Sequence, residues 1–169
     1  MNKVLEALVG IALMAMTLSV AIQILVRFVF TKFDINLSVP WTEELARYLM
    51  VWALFIGAAI IARRADSLAV EALVNLVPSR IGRIIKAAAL LITLVFYGYI
   101  IVVGLEVAEF GLTETSMAMG VPMVFVYSSM SIGAVLTIIN LIAFMLDIYI
   151  NKKDILHVID EEITDDQLN

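Results

Sequence analysis

The sequence predicts an all-α integral membrane protein: four transmembrane helices, with an interfacial amphipathic helix between helices 2 and 3. Three observations predict it. Of 169 residues, 63% are hydrophobic and only 16% charged, and the mean hydropathy is +1.03; soluble domains run nearer half apolar and a quarter charged. Four runs are long enough to cross a hydrocarbon layer about 30 Å thick, which takes roughly 20 apolar residues. The charges gather at the ends of those runs and avoid their middles.

The first span covers residues 4–26 and is interrupted only by Glu6 and Gln23, one near each end. Lys3 before it and Ser19-Val20-Ala21 within it resemble a secretory signal. The apolar run, however, exceeds the roughly 7–15 residues of a signal core and continues to Arg27, so an uncleaved anchor is expected. Phe28 to Pro40 mixes aromatic and polar residues; Phe28, Phe30, Phe33 and Trp41 suit headgroup depth. The second span, 41–62, keeps its carboxylates in its first turn.

Between Arg63 and Lys86, the residues Ser67, Glu71 and Asn75 recur every four, with Leu68, Val70, Leu73, Val74, Leu76 and Val77 filling the rest. This predicts an amphipathic helix over 67–77, capped by Asp66 or Ser67 and stopped by Pro78. Two placements fit it: flat in the membrane interface, apolar side down, or docked on another subunit. Ser79 then opens the third helix, whose Arg80, Arg83 and Lys86 form a basic stripe toward lipid phosphates ahead of the charge-free span 87–105. The fourth span, 121–146, has Ser, Thr and Asn140 as its polar content. The four-helix domain is thus 1–153, followed by an acidic tail over 154–169 carrying Asp154, Asp160, Glu161, Glu162, Asp165 and Asp166. Such a charge block reads as a solvated tail.

Basic residues set the expected orientation. With the amino terminus cytoplasmic, the inner side holds eight (Lys3, Arg63, Arg64, Arg80, Arg83, Lys86, Lys152 and Lys153) and the outer side three (Arg27, Lys32 and Arg47). The loop between spans three and four has Glu106, Glu109 and Glu114 and no base. Both termini are therefore expected in the cytoplasm.

Several functions are disfavoured. The chain has no cysteine, which removes disulfides, thiolate metal sites and cysteine nucleophiles. Its one histidine, His157, lies in the tail, so haem ligation within the spans fails. No nucleophile–base pair or phosphate loop can be assembled, and the acidity argues against nucleic acid. No catalytic, cofactor or metal site is expected. Coupled carriers usually show intramembrane carboxylates or helices broken at the midplane; neither is present, which favours a supporting subunit.

The most informative stretch is Pro40-Trp41-Thr42-Glu43-Glu44-Leu45-Ala46-Arg47-Tyr48. Proline is tolerated in a first helical turn, and carboxylates there face the positive end of the helix dipole. Glu43 and Arg47 are four apart in the favourable order, and Glu44 and Arg47 three apart. Arg27 offers either carboxylate a second partner. The stretch can act as an anchor stapling spans one and two, or as a contact for an external or larger membrane subunit; the two are compatible. Small residues mark packing faces: Gly57-Ala58-Ala59 in span two, Ser129, Gly133 and Thr137 with Asn140 in span four, and Ala15, Ser19, Gln23 and Arg27 in span one.

With Trp52, Phe55-Ile56-Gly57-Ala58-Ala59, the amphipathic connection ending at Pro78, Val121-Pro122, Tyr127 and Ile132-Gly133, this stretch resembles the small membrane subunit of tripartite ATP-independent periplasmic (TRAP) transporters over residues 4 to 150. The chain departs from that pattern at Ser67-Leu68, where the family often has His-Ile, at Glu71 in place of an aspartate, and at Ser131 in place of a proline. The resemblance implies a bacterial cytoplasmic (inner) membrane location. It also implies a large multi-span partner subunit holding substrate and sodium sites, and an extracytoplasmic binding protein that delivers an organic acid. The small subunit would extend the stationary scaffold and help dock the binding protein. Arg27, Trp41, Glu43, Glu44, Arg47, Tyr48, Trp52, Gly57, Ser129, Gly133 and Asn140 are the expected scaffold or subunit-interface residues. The alternatives are a self-sufficient oligomeric exporter and the membrane anchor of a respiratory enzyme.

Overall fold

The computed structural model describes residues 2–28, 39–64 and 78–151, which form four helices: α1 (Asn2–Phe28), α2 (Pro40–Arg64), α3 (Ser79–Phe110) and α4 (Val124–Asn151). Each is long and apolar enough to cross a membrane, so the chain is an all-α, multi-pass membrane protein. The interfacial helix expected over 67–77 and the acidic tail lie outside the described residues.

Local chemistry sets the helix ends. Pro40 opens α2, where its missing N–H costs nothing, and the Thr42 hydroxyl donates back to the Val39 carbonyl at 2.7 Å. Pro78 sits just before α3, and its carbonyl accepts from the Ile81 and Gly82 amides at 2.9 and 3.0 Å. With 32 residues, α3 is longer than the charge-free run within it and starts at Ser79, ahead of the basic residues. The expected basic stripe divides: Arg83 is exposed while Lys86 is buried within the chain.

Between α3 and α4 the chain makes a compact hairpin over 111–123. Thr115 and Pro122 form an antiparallel bridge, the Ser116 amide donates to the Val121 carbonyl at 2.9 Å, and the Met123 amide donates to that of Glu114 at 3.0 Å. The turn closes at Gly120, whose φ of 64° is a conformation that glycine adopts without a Cβ penalty. Val121 to Met123, expected within span four, thus belong to this hairpin, and α4 begins at Val124.

The helices do not close into a bundle. α1 packs on α2, α2 on α4 and α4 on α3; no other pair of helices shares more than a marginal contact among the described residues. The order is α1–α2–α4–α3. Within the most apolar window of each helix, α4 buries 44% of its residues, against 6% for α1, 11% for α2 and 6% for α3. α4 is the core, and most apolar surface of the others faces outward. Lipid supplies no hydrophobic drive for helix association, so close packing and hydrogen bonds must hold the order. At the α2–α4 crossing, a Cβ on Gly133 would overlap Phe55: only glycine lets the two backbones meet there.

Candidate functional site

One stripe of α2 runs along the hairpin and α4 from end to end. Glu44, Tyr48, Trp52, Phe55 and Ala59 follow one another at intervals of four, four, three and four, the spacing of one helix face. Each meets a different level of the partner. The Glu44 carboxylate accepts hydrogen bonds from the Ser116 hydroxyl and, at 3.2 Å each, from the backbone amides of Ala118 and Met119. The Tyr48 hydroxyl lies 3.5 Å from the Met123 sulfur. The Trp52 indole N–H donates to the Phe125 carbonyl at 3.1 Å. Phe55 packs on Gly133, and Asn140 Nδ2 donates to the Ala59 carbonyl at 2.6 Å.

The Glu44 end of this stripe is a brace. Two consecutive amides near a turn and a hydroxyl converge on one carboxylate, the kind of concave donor set that binds anions. Here the anion is the chain's own Glu44, so the start of α2 is fixed to the hairpin between α3 and α4. Ser116 is itself buried, and its oxygen also accepts from the Met119 amide at 3.1 Å. The Tyr127 hydroxyl donates to Glu114 at 3.3 Å, tying the hairpin to the first turn of α4.

The neighbouring carboxylate faces the other way. Glu43 accepts from Arg47 at 3.2 Å and from the Gln23 side chain of α1 at 3.5 Å. The two acids of the motif therefore divide the work: Glu43 links α2 to α1, and Glu44 links α2 to the hairpin. Arg47 takes Glu43, the i,i+4 partner, and not Glu44. Arg27 lies at the exposed end of α1, its guanidinium 5.9 Å from the Phe28 ring centroid. Trp41 is exposed at the start of α2.

The small and polar residues of the spans are mostly satisfied inside the chain. Ser129 and Thr137 are fully buried and donate to the Val126 and Gly133 carbonyls of their own helix at 2.6 and 2.8 Å. Ser19 does the same to Ala15 at 2.8 Å. Such local bonds let a hydroxyl sit in an apolar seam without a distant partner. Asn140, also fully buried, pairs through its nitrogen only; its oxygen has no partner among the described residues. Gly57 stands apart, for a Cβ there would meet nothing within 4 Å among those residues.

The acids of this loop do not point to Ser116, Ala118 and Met119, which supply the donors. The available signal was turn chemistry: a serine four residues before a glycine and six before a proline.

Residues 16–149 match the family model for the DctQ component of tripartite ATP-independent periplasmic transporters. A Haemophilus influenzae protein named "Putative TRAP transporter small permease protein" is 34% identical over 77 residues. That match covers 46% of this chain and 45% of the relative, so it spans less than half of the relative's length. The family match takes in α2, α3, the hairpin, the second half of α1 and nearly all of α4, and with them both carboxylates of the motif and every donor in the brace. The chain belongs to the DctQ-component family of tripartite ATP-independent periplasmic transporters.

Proposed function

We propose that the chain is the small scaffold subunit of a sodium-driven tripartite transporter, importing an organic acid that an extracytoplasmic binding protein delivers. It stands beside a large multi-span subunit that carries the substrate and sodium sites, and it performs no catalysis itself. One observation carries this reading: the open α1–α2–α4–α3 order, in which three of four apolar helices bury no more than 11% of their span windows within the chain. A chain that moved solute alone would need to enclose a polar path. Here the polar side chains of the α2–α4 seam are spent on helix-to-helix and local hydrogen bonds. The outward apolar faces suit lipid on one side and a larger membrane subunit on the other.

The same reading puts the protein in the bacterial inner membrane with both termini in the cytoplasm, following the bias of basic residues. The hairpin, the brace and the Glu43–Arg47 pair then stand at the extracytoplasmic rim.

The test is copurification followed by reconstitution. A tagged chain extracted in mild detergent is expected to bring down a large multi-span subunit, and the pair is expected to take up substrate only with a sodium gradient and the binding protein. Solute flux through the purified chain alone, with no partner present, would overturn the reading.

A further inference from the structure

We propose that Glu44 is a positioning residue and that the hairpin tip it fixes is a docking surface. The occupant is a soluble extracytoplasmic protein presenting basic groups around an apolar socket. The inference rests on the orientation and subunit role proposed above, and it adds which surface makes the contact and what holds that surface in place.

The hairpin combines two properties that a lipid-facing loop would not need together. Met117 projects fully into the surroundings, and Leu112 and Phe110, five and seven residues earlier, are exposed where α3 enters the hairpin. Glu109 and Glu114 are exposed in the same short segment, with Glu106 one turn earlier. From Ala87 to Asn151 the chain carries no lysine or arginine, so this end of α3 and its hairpin hold acid without base. Arg47, the nearby cation on α2, is already engaged by Glu43. An anionic bilayer surface would be repelled by such a segment; a protein face with complementary positive charge would be drawn to it. Exposed methionine supplies an adaptable apolar contact at the centre.

A short hairpin on two helix ends holds one pose only if its backbone is tied down. The Glu44 carboxylate does this by accepting from the Ser116 hydroxyl and from the consecutive backbone amides of Ala118 and Met119, which directly follow Met117. Glu44 therefore acts through the hairpin and does not itself touch the partner; the exposed tip does.

Two measurements on the assembled transporter separate these claims. Hydrogen exchange at the Ala118 and Met119 amides is expected to quicken about tenfold or more in Glu44→Ala, with a smaller rise in the milder Ser116→Ala. Unchanged protection in both variants would overturn the positioning role. Met117→Arg and Glu109→Lys leave the brace intact, so exchange is expected to stay at the wild-type rate. Uptake at limiting binding protein is expected to drop at least tenfold and to recover when the binding protein is raised. Wild-type uptake at limiting binding protein in both variants would overturn the docking surface. If no large subunit copurifies with the wild-type chain, the scaffold reading itself fails, and the exchange experiment still decides the brace on the chain alone.

Discussion

Asn140 sets two opposing terms against each other at one side chain. Its Nδ2–H bond to the Ala59 carbonyl joins α2 to α4, and interhelical bonds in membranes contribute about 0.6–2 kcal/mol. Its Oδ1 is buried without a partner among the described residues, and a stranded acceptor costs about 1–3 kcal/mol. The terms nearly cancel. Asn140→Ala removes both at once and leaves the Ala59 carbonyl its own helical donor, so stability is expected to change by less than about 1 kcal/mol. Asn140→Asp keeps the shape, removes the donor and puts a carboxylate against a carbonyl, and is expected to cost more than about 2 kcal/mol. Reversible unfolding in mixed micelles measures both. A loss of several kcal/mol in the alanine variant would overturn this balance, through the cavity left in the seam or through a partner for the oxygen.

The two sides of α2 call for different sensitivities. Glu43 and Arg47 are 61% and 66% exposed along their side chains, and an exposed i,i+4 pair is worth about 0–1 kcal/mol. Arg47→Ala is therefore expected to leave the folding stability of the chain within about 1 kcal/mol of wild type. Trp52→Phe on the α4 side loses the indole donor to Phe125 along with packed ring area, and is expected to cost about 1–2 kcal/mol. Thermal midpoints of the two purified variants give the order. If Arg47→Ala nonetheless abolishes uptake, its target lies in another subunit. This division was only half legible in the sequence. Helical spacing offers Arg47 both acids and ranks Glu43 first by its order, the pair the structure takes, and the helices themselves follow from apolar runs too long for any other solution. Glu44 is different, since its donors lie 72, 74 and 75 residues away, where no local pattern points back to it. The helix order was hidden for a related reason: α1 and α3 are apolar nearly all round, so periodicity marks no preferred side. Of the three small-residue faces read from the sequence, the seam of Ser129, Gly133, Thr137 and Asn140 meets α2 through Gly133 and Asn140, while a Cβ at Gly57 of the span-two face would meet nothing among the described residues.

At the scale of the whole molecule, a scaffold of this kind is a row of helices with an open outline, and its shape makes a prediction that a closed four-helix bundle would contradict. The chain has no native cysteine, so engineered pairs report proximity without background. The Asn140 side chain reaches the Ala59 carbonyl at 2.6 Å, and the Ser131 hydroxyl lies 3.5 Å from the Ile101 carbonyl. The pairs Ala59→Cys with Asn140→Cys, and Ile101→Cys with Ser131→Cys, leave the close-packed glycines in place and are therefore expected to crosslink through a short bifunctional thiol reagent within one chain in native membranes. Pairs between α1 and α3, such as Leu18→Cys with Val95→Cys, are expected to stay unlinked by the same reagent, because both residues are exposed and their helices are separated by α2 and α4. Efficient intrachain crosslinking of the α1–α3 pair would mean that the helices close on themselves. The outward apolar faces would then no longer be available to a larger subunit, and the physical case for a scaffold would fall with them. Retention of the first two crosslinks after removal of the large subunit would in turn show that the α2–α4 and α4–α3 seams hold the row together unaided.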